Sequence, residues 1–113
     1  MIVTVTSIKL KSVWYYFKLT MFGYKIVKQL KQESGFIKMK NTGFGYDHYT
    51  LSAWHSDEDL KRFAKNGAHS VAMKQTKKIA SEVRTYTYNT GIMPGWNEAK
   101  ELLAENGKVI NFK

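Results

Sequence analysis

The chain of 113 residues has no cysteine and a single proline. Without thiols it can form no disulfide framework, no thiolate metal site and no cysteine nucleophile. That composition fits a reducing compartment. Acidic residues are scarce at the front. Over residues 1–45 eight lysines face Glu33 alone, a charge of +7, whereas residues 46–113 add only +2. Long apolar runs are missing too. The most apolar region, Val13 to Leu30, contains Lys18, Lys25 and Lys28, and three ammonium groups argue against a membrane span. The opening MIVTVTSIKLK alternates rather than running apolar and offers no small-residue cleavage site, so no signal peptide is expected. A cytoplasmic protein of one domain follows, residues 1–113, with its core over 1–90 and a C-terminal helix and tail over 93–113.

What is present alternates between two periods. Residues 2–10 place Ile2, Thr4, Thr6 and Ile8 on one side and Val3, Val5 and Ser7 on the other, the period-two pattern of a strand. Ser12 can cap a helix running to about Gln32, on which Tyr15, Leu19, Phe22, Ile26 and Leu30 form a core-facing stripe. A second apolar row, Trp14, Phe17, Met21 and Tyr24, lies close to the lysines. It is expected to pack on the C-terminal segment or, failing that, on another subunit. Gly23 costs about 1 kcal/mol inside a helix and suggests a close neighbour. Residues 36–40 alternate again, Asn41 to Gly45 is read as a turn, and Tyr46 to Trp54 is the clearest strand. Ser56 with Asp59 three residues on matches a capping box, and Asp57, Glu58 and Asp59 suit the positive end of a helix dipole. Asn66-Gly67 signals the end of that helix. A short helix over residues 68–80, a strand over residues 82–90, a helix from Trp96 to Asn106 and a further strand from Val109 to Phe112 complete the pattern.

The order β-α-β-β-α-β predicts an α+β, ferredoxin-like antiparallel sheet with both main helices on one face. Its other face is expected to need a cover.

Leu51-Ser52-Ala53-Trp54-His55-Ser56-Asp57-Glu58-Asp59-Leu60, through Phe63 and then Gly67-Ala68-His69, resembles the dimeric α+β barrel superfamily. That group includes antibiotic-biosynthesis-monooxygenase-like proteins, and the pattern of strand, Trp, acidic cap, helix and Ala-His looks especially like uncharacterised DUF3291-type and spheroidene-monooxygenase-like members. Residues 46–90 carry most of this resemblance. It implies a homodimer whose sheets face each other, and a pocket between sheet and helices or inside the barrel. It implies no single activity, because the fold hosts oxygenases, isomerases, haem-degrading enzymes and proteins without a known reaction. The haem-degrading branch calls for an Asn on the first strand, a Trp at the position of Phe63 and a His at the position of Met73, none of which this chain has. Haem held otherwise, through His69, is left open; no other cofactor is implied, and Gly43-Phe44-Gly45 is not a phosphate loop following a strand.

Three histidines bear on chemistry. His48, His55 and His69 have spacings of seven and fourteen residues, which match no standard metal arrangement. His69 and His48 are candidates for proton transfer, for which imidazole suits neutral pH; a helix-start histidine bonding a nearby carbonyl is the simpler reading of His69. Arg84 and Tyr86 share a strand row with Tyr88 and could hold an anion or oxygen, or form an ordinary cross-strand row. Trp54, Phe63, Thr50 and Ser52 are candidate ligand-binding residues, with Trp54 also suited to anchor the core. The basic half could attract nucleic acid, anionic lipid or an acidic ligand, or simply be a solvated face. Nucleic acid is disfavoured because the lysines are dispersed and no RNP-like signature is present. The reading is a small homodimer that binds a modest apolar or aromatic molecule, as a cofactor-independent monooxygenase-like or isomerase-like enzyme. Its alternative is a non-catalytic ligand-binding or interaction module of the same fold.

Overall fold

In the computed structural model, which describes residues 1–65 and 74–112, the strands are β1 (Ile2–Leu10), β2 (Phe36–Phe44), β3 (Asp47–Trp54), β4 (Ala80–Asn89) and β5 (Lys108–Asn111). The helices are α1 (Tyr16–Leu30), entered through a 3-10 turn at Val13–Tyr15, α2 (Asp57–Lys65) and α3 (Trp96–Asn106); residues 74–79 are also helical. The strands form one antiparallel sheet in the order β2-β3-β1-β4-β5. This is the ferredoxin-like arrangement extended by β5. The expected Ala68 start and Asn66-Gly67 helix stop lie outside the described residues, and Ala80 opens β4 rather than closing a helix.

Register assigns each side chain to a face. Trp54 lies opposite Ile2 and Thr50 opposite Thr6 on β1, while Thr85 and Thr87 lie opposite Thr6 and Thr4 on the other flank. These residues share the face that α1 and α2 approach. There Leu30, Trp54 and Phe63 are buried, with Ile26, Phe36 and Leu60 packed around them. Away from that cluster the same face is polar: the Thr4 and Thr87 hydroxyls are 2.8 Å apart, and those of Thr6 and Thr85 3.2 Å.

The opposite face carries Val3, Val5, Leu51 and Ala53, buried under Ala99 and Leu103 of α3. The sequence led us to expect this side to be bare and in need of a twin copy. Instead the chain's own C-terminal helix covers its centre, because the loop through Met93 and Pro94 turns back and β5 closes on β4. A second expectation changes with it. Since α3 sits across the sheet from α1, the Trp14, Phe17, Met21 and Tyr24 row does not pack on the C-terminal segment but stays exposed. Gly23 has no neighbour within 4 Å of where a Cβ would sit, so no close approach explains it.

The predicted turn over Asn41–Gly45 is shorter than expected. β2 continues to Phe44, which pairs with Asp47, leaving Gly45-Tyr46 as a two-residue connection. Gly45 has φ +64° and Tyr46 has no positive φ, the pattern of a type II′ hairpin with glycine in its first central position. The cap expected at Ser56 forms: its Oγ accepts from the Asp59 N–H at 3.2 Å and donates to the Asp59 carboxylate at 2.8 Å.

Candidate functional site

Among the described residues a recess opens on each face of the sheet. The larger, about 350 Å³, lies between the start of α1 and the β2–β3 hairpin and is lined by Val13, Tyr16, Gly43, Phe44, Gly45 and His48. Local chemistry sets each wall. Ser12 has extended backbone, and its Oγ accepts from the Trp14 N–H at 3.3 Å. That cap starts the helical path at Val13 and brings Tyr16 over the start of β3, at His48. The Tyr16 ring then stacks on the His48 imidazole, with centroids 5.1 Å apart and planes 19° from parallel.

His48 is held from below as well. Its Nε2 lies 3.0 Å from the Gly45 carbonyl oxygen. A carbonyl only accepts, so in the neutral ring Nε2 carries the hydrogen and Nδ1 is left as the acceptor. Nδ1 sits beside Gly43, where an added Cβ would come within 2.6 Å of it; Gly43 also has φ +153°. The hairpin glycines therefore do two things at once: one turns the chain and the other makes room for the imidazole. The recess combines apolar walls with one nitrogen base, a combination usual in small-molecule sites.

The second recess, about 150 Å³, opens beside α3 on the other face, with Lys9, Asp47, Glu82, Arg84 and Lys100 along its rim. The Arg84 aliphatic stem passes under Gly107, whose added Cβ would lie 2.6 Å from Arg84 Cγ. Its Nε is buried and has no hydrogen-bond partner among the described residues. The Lys100 ammonium stands 4.6 Å from the centroid of the Tyr49 ring. Further along β4, Tyr86 and Tyr88 stack at 5.3 Å and 14°. The Tyr88 hydroxyl is held above its ordinary pKa of 10.0, first by burial, then by the Glu98 carboxylate and Tyr86.

The structure therefore divides the sequence-derived candidates. His48, Thr50, Ser52 and Trp54 share the α1 face, with Phe63 of α2 packed on Trp54; Arg84 and Tyr86 lie on the other side of the sheet, and His69 lies outside the described residues. Trp54 is fully buried against Phe36, at 5.6 Å between ring centroids, and against Phe63 at 5.0 Å. Its indole N–H donates to Ser52 Oγ at 3.1 Å, and Thr50 donates to Asn41 at 3.0 Å. Thr50, Ser52, Trp54 and Phe63 are engaged with one another or with their neighbours and lie off the walls of the 350 Å³ recess. Sequence reasoning missed Val13, Tyr16, Gly43, Phe44 and Gly45. The signal was available: a Gly-x-Gly hairpin whose second glycine lies three residues before His48, and a helical segment announced by the cap at Ser12.

No protein-family model matches the sequence, and neither does any curated protein. Solved structures do match in fold. A Nitrosomonas europaea protein described as a "putative antibiotic biosynthesis monooxygenase" superimposes with a TM-score of 0.73 at 11% identity, covering 81% of this chain and 100% of its own. A conserved protein from Methanosarcina mazei gives 0.72 at 12% identity, covering 79% and 91%. SnoaB from Streptomyces nogalater, a cofactor-independent oxygenase, gives 0.66 at 8% identity, covering 83% and 97%. With its strand order, its helices and these superpositions taken together, the chain has the α+β fold of the antibiotic-biosynthesis-monooxygenase-like proteins.

Proposed function

We propose that this protein binds a small aromatic, enolisable or phenolic molecule in the recess under α1 and assists its oxygenation, with His48 as the base. The observation that carries the reading is the imidazole fixed by the Gly45 carbonyl and the Tyr16 ring inside an apolar recess. Dioxygen reacts slowly with closed-shell organic molecules, so without a cofactor the substrate itself must supply the electrons. Removing its acidic proton makes it a far better reductant. For an activated methylene the balance is CH2 plus O2 to C=O plus H2O: Nδ1 takes the first proton, a C–O bond forms to give a hydroperoxide, and loss of water breaks the O–O bond. The cofactor independence of the structural neighbour SnoaB supports this direction without establishing it.

The test is oxygen uptake with an anthrone-type probe, alongside binding read by tryptophan fluorescence. The wild type should bind and consume oxygen, and His48→Ala should lower turnover by about 10²- to 10⁴-fold, as for loss of a general base, with binding kept within a few-fold. Binding without oxygen uptake would assign the recess to a non-catalytic ligand-binding protein. No binding of aromatic probes would overturn the reading.

Assembly belongs to the same proposal. The recess is built within one chain. A second copy is expected along β5, an outer strand whose Val109 and Ile110 are exposed and whose unpaired edge invites pairing. Sedimentation velocity decides this part alone; a monomer at high protein concentration would remove the second copy and leave the recess as it stands.

A further inference from the structure

The outer face of α1 is the least ordinary surface of the molecule. Trp14 is 75% exposed, Phe17 73% and Tyr24 65%, and Met21 and Val13 are exposed beside them. Their 3/4/3 spacing lays them in one row along the helix axis. A soluble protein rarely presents so many contiguous large apolar groups without a use. Lys18, Lys25, Lys28 and Lys31 stand exposed on the same arc, and no carboxylate occurs anywhere between Lys9 and Gln32. The Lys28 ammonium lies 5.4 Å from the Tyr24 ring centroid and that of Lys18 5.6 Å from the Tyr15 ring, so cations and aromatic rings are interleaved on this face.

Among the described residues no helix is long and apolar enough to cross a membrane. A helix with an apolar row, flanking lysines and no acid is instead the kind that lies in a membrane interface. We propose that the outer face of α1 docks on the surface of an anionic lipid bilayer. Trp14, Phe17 and Met21 enter the boundary between headgroups and acyl chains, and Lys18, Lys25 and Lys28 meet the lipid phosphates and carboxylates. Charge complementarity selects this occupant over a second copy, because a two-fold contact would set equal lysine rows against each other. The aliphatic area of Val13 and Met21 favours acyl chains over a nucleic-acid backbone, which offers stacking and phosphate but no apolar interior. Val13 belongs both to this row and to the wall of the recess, and Phe44, 94% exposed, stands at the same opening. A docked molecule would thus turn the mouth of the recess toward the lipid, a consequence that rests on the proposed ligand site and would supply it with lipid-soluble aromatic compounds.

Co-sedimentation of the full chain with vesicles tests the docking without any substrate, so its failure would leave the recess reading untouched. Vesicles of phosphatidylcholine with roughly 30% phosphatidylserine should bind the protein at least about tenfold more tightly than phosphatidylcholine alone, since each lysine near such a surface adds to the attraction. The Trp14→Ala/Phe17→Ala and Lys25→Gln/Lys28→Gln variants should each lose about tenfold while keeping the wild-type circular dichroism spectrum. Acyl-chain-brominated lipid should quench wild-type tryptophan emission and quench Trp14→Phe far less. Absence of vesicle binding by the wild type, or binding by both double variants as tight as that of the wild type, would overturn the proposal. Retardation of an oligonucleotide, or a dimer dissociated by the same substitutions, in the absence of vesicle binding, would reassign the face to nucleic acid or to a second copy and overturn it as well.

Discussion

At the scale of single residues, the environment of His48 depends on two glycines that act differently. Gly43 has φ +153° and His48 Nδ1 in the space a Cβ would fill; Gly45 has φ +64° and nothing within 4 Å. Alanine is strained at both positions, at a cost of about 1–3 kcal/mol each. Only Gly43→Ala should also push the imidazole aside. We therefore expect both variants to unfold at lower denaturant, but only Gly43→Ala to lose affinity for an aromatic probe. Equal losses of affinity would show that the hairpin backbone, rather than the imidazole, shapes the recess. On the other face Tyr88 gives a readout of pH. Its folded-state pKa is raised above 10.0 by burial, by Glu98 and by Tyr86, so folding favours the protonated phenol. That contribution is complete below pH 10 and is lost as the pH climbs through the folded value. Difference absorbance near 295 nm between the wild type and Tyr88→Phe should place the Tyr88 ionisation above its ordinary value, and Glu98→Gln should bring it part of the way back. In Tyr88→Phe the alkaline fall in stability should be shallower.

At the scale of elements, α1 departs most from its surroundings. Its inner stripe ends in the buried Leu30, yet Gly23 meets nothing that would require a missing side chain. Gly23→Ala should therefore raise unfolding stability by about 1 kcal/mol, the propensity difference in a helix interior, measured as a shift in denaturant midpoint at constant slope; a loss of stability would mean that a neighbour approaches there after all. The existence of α1, its inner stripe and the Ser56–Asp59 cap of α2 were legible in the sequence, because capping and 3.6-residue periodicity are local; Ser12 also caps as expected, but it caps the 3-10 turn Val13–Tyr15 and not α1 itself, whose N-cap is Tyr15. What covers the outer row of α1 was not legible, because it depends on where α3 folds back, and the packing of a distant element leaves no local trace. The hairpin lay between the two cases. Asn41-Thr42-Gly43-Phe44-Gly45 looks like turn chemistry throughout, but glycine tolerates a strand as well as a turn, and the register with β3 extends β2 to Phe44.

At the scale of the whole molecule, the sheet is a partition. The strand order and the split of each strand into two rows were readable from alternation, but which row of one strand shares a face with which row of another was not. Cross-strand register supplies the answer: His48 lies opposite Ile8, whereas Arg84 lies opposite Ser7, and neighbours on a strand point to opposite faces. The apolar rows agree with this, since Tyr49, Leu51 and Ala53 belong with Val3 and Val5 in one buried layer, and Tyr86 joins them. It follows that His48 and Arg84 share no partner and belong to separate recesses. Sites without shared partners add within about 0.3–0.5 kcal/mol. Unfolding of His48→Ala, Arg84→Met and the double variant should therefore give a double variant equal to the sum of the singles within that range, and Arg84→Met should leave binding of an aromatic probe at the His48 recess unchanged. A coupling above about 1 kcal/mol, or a ligand affinity that falls with Arg84→Met, would mean that the two faces work as one site through the sheet, and the recess under α1 could no longer be treated as a self-contained binding unit.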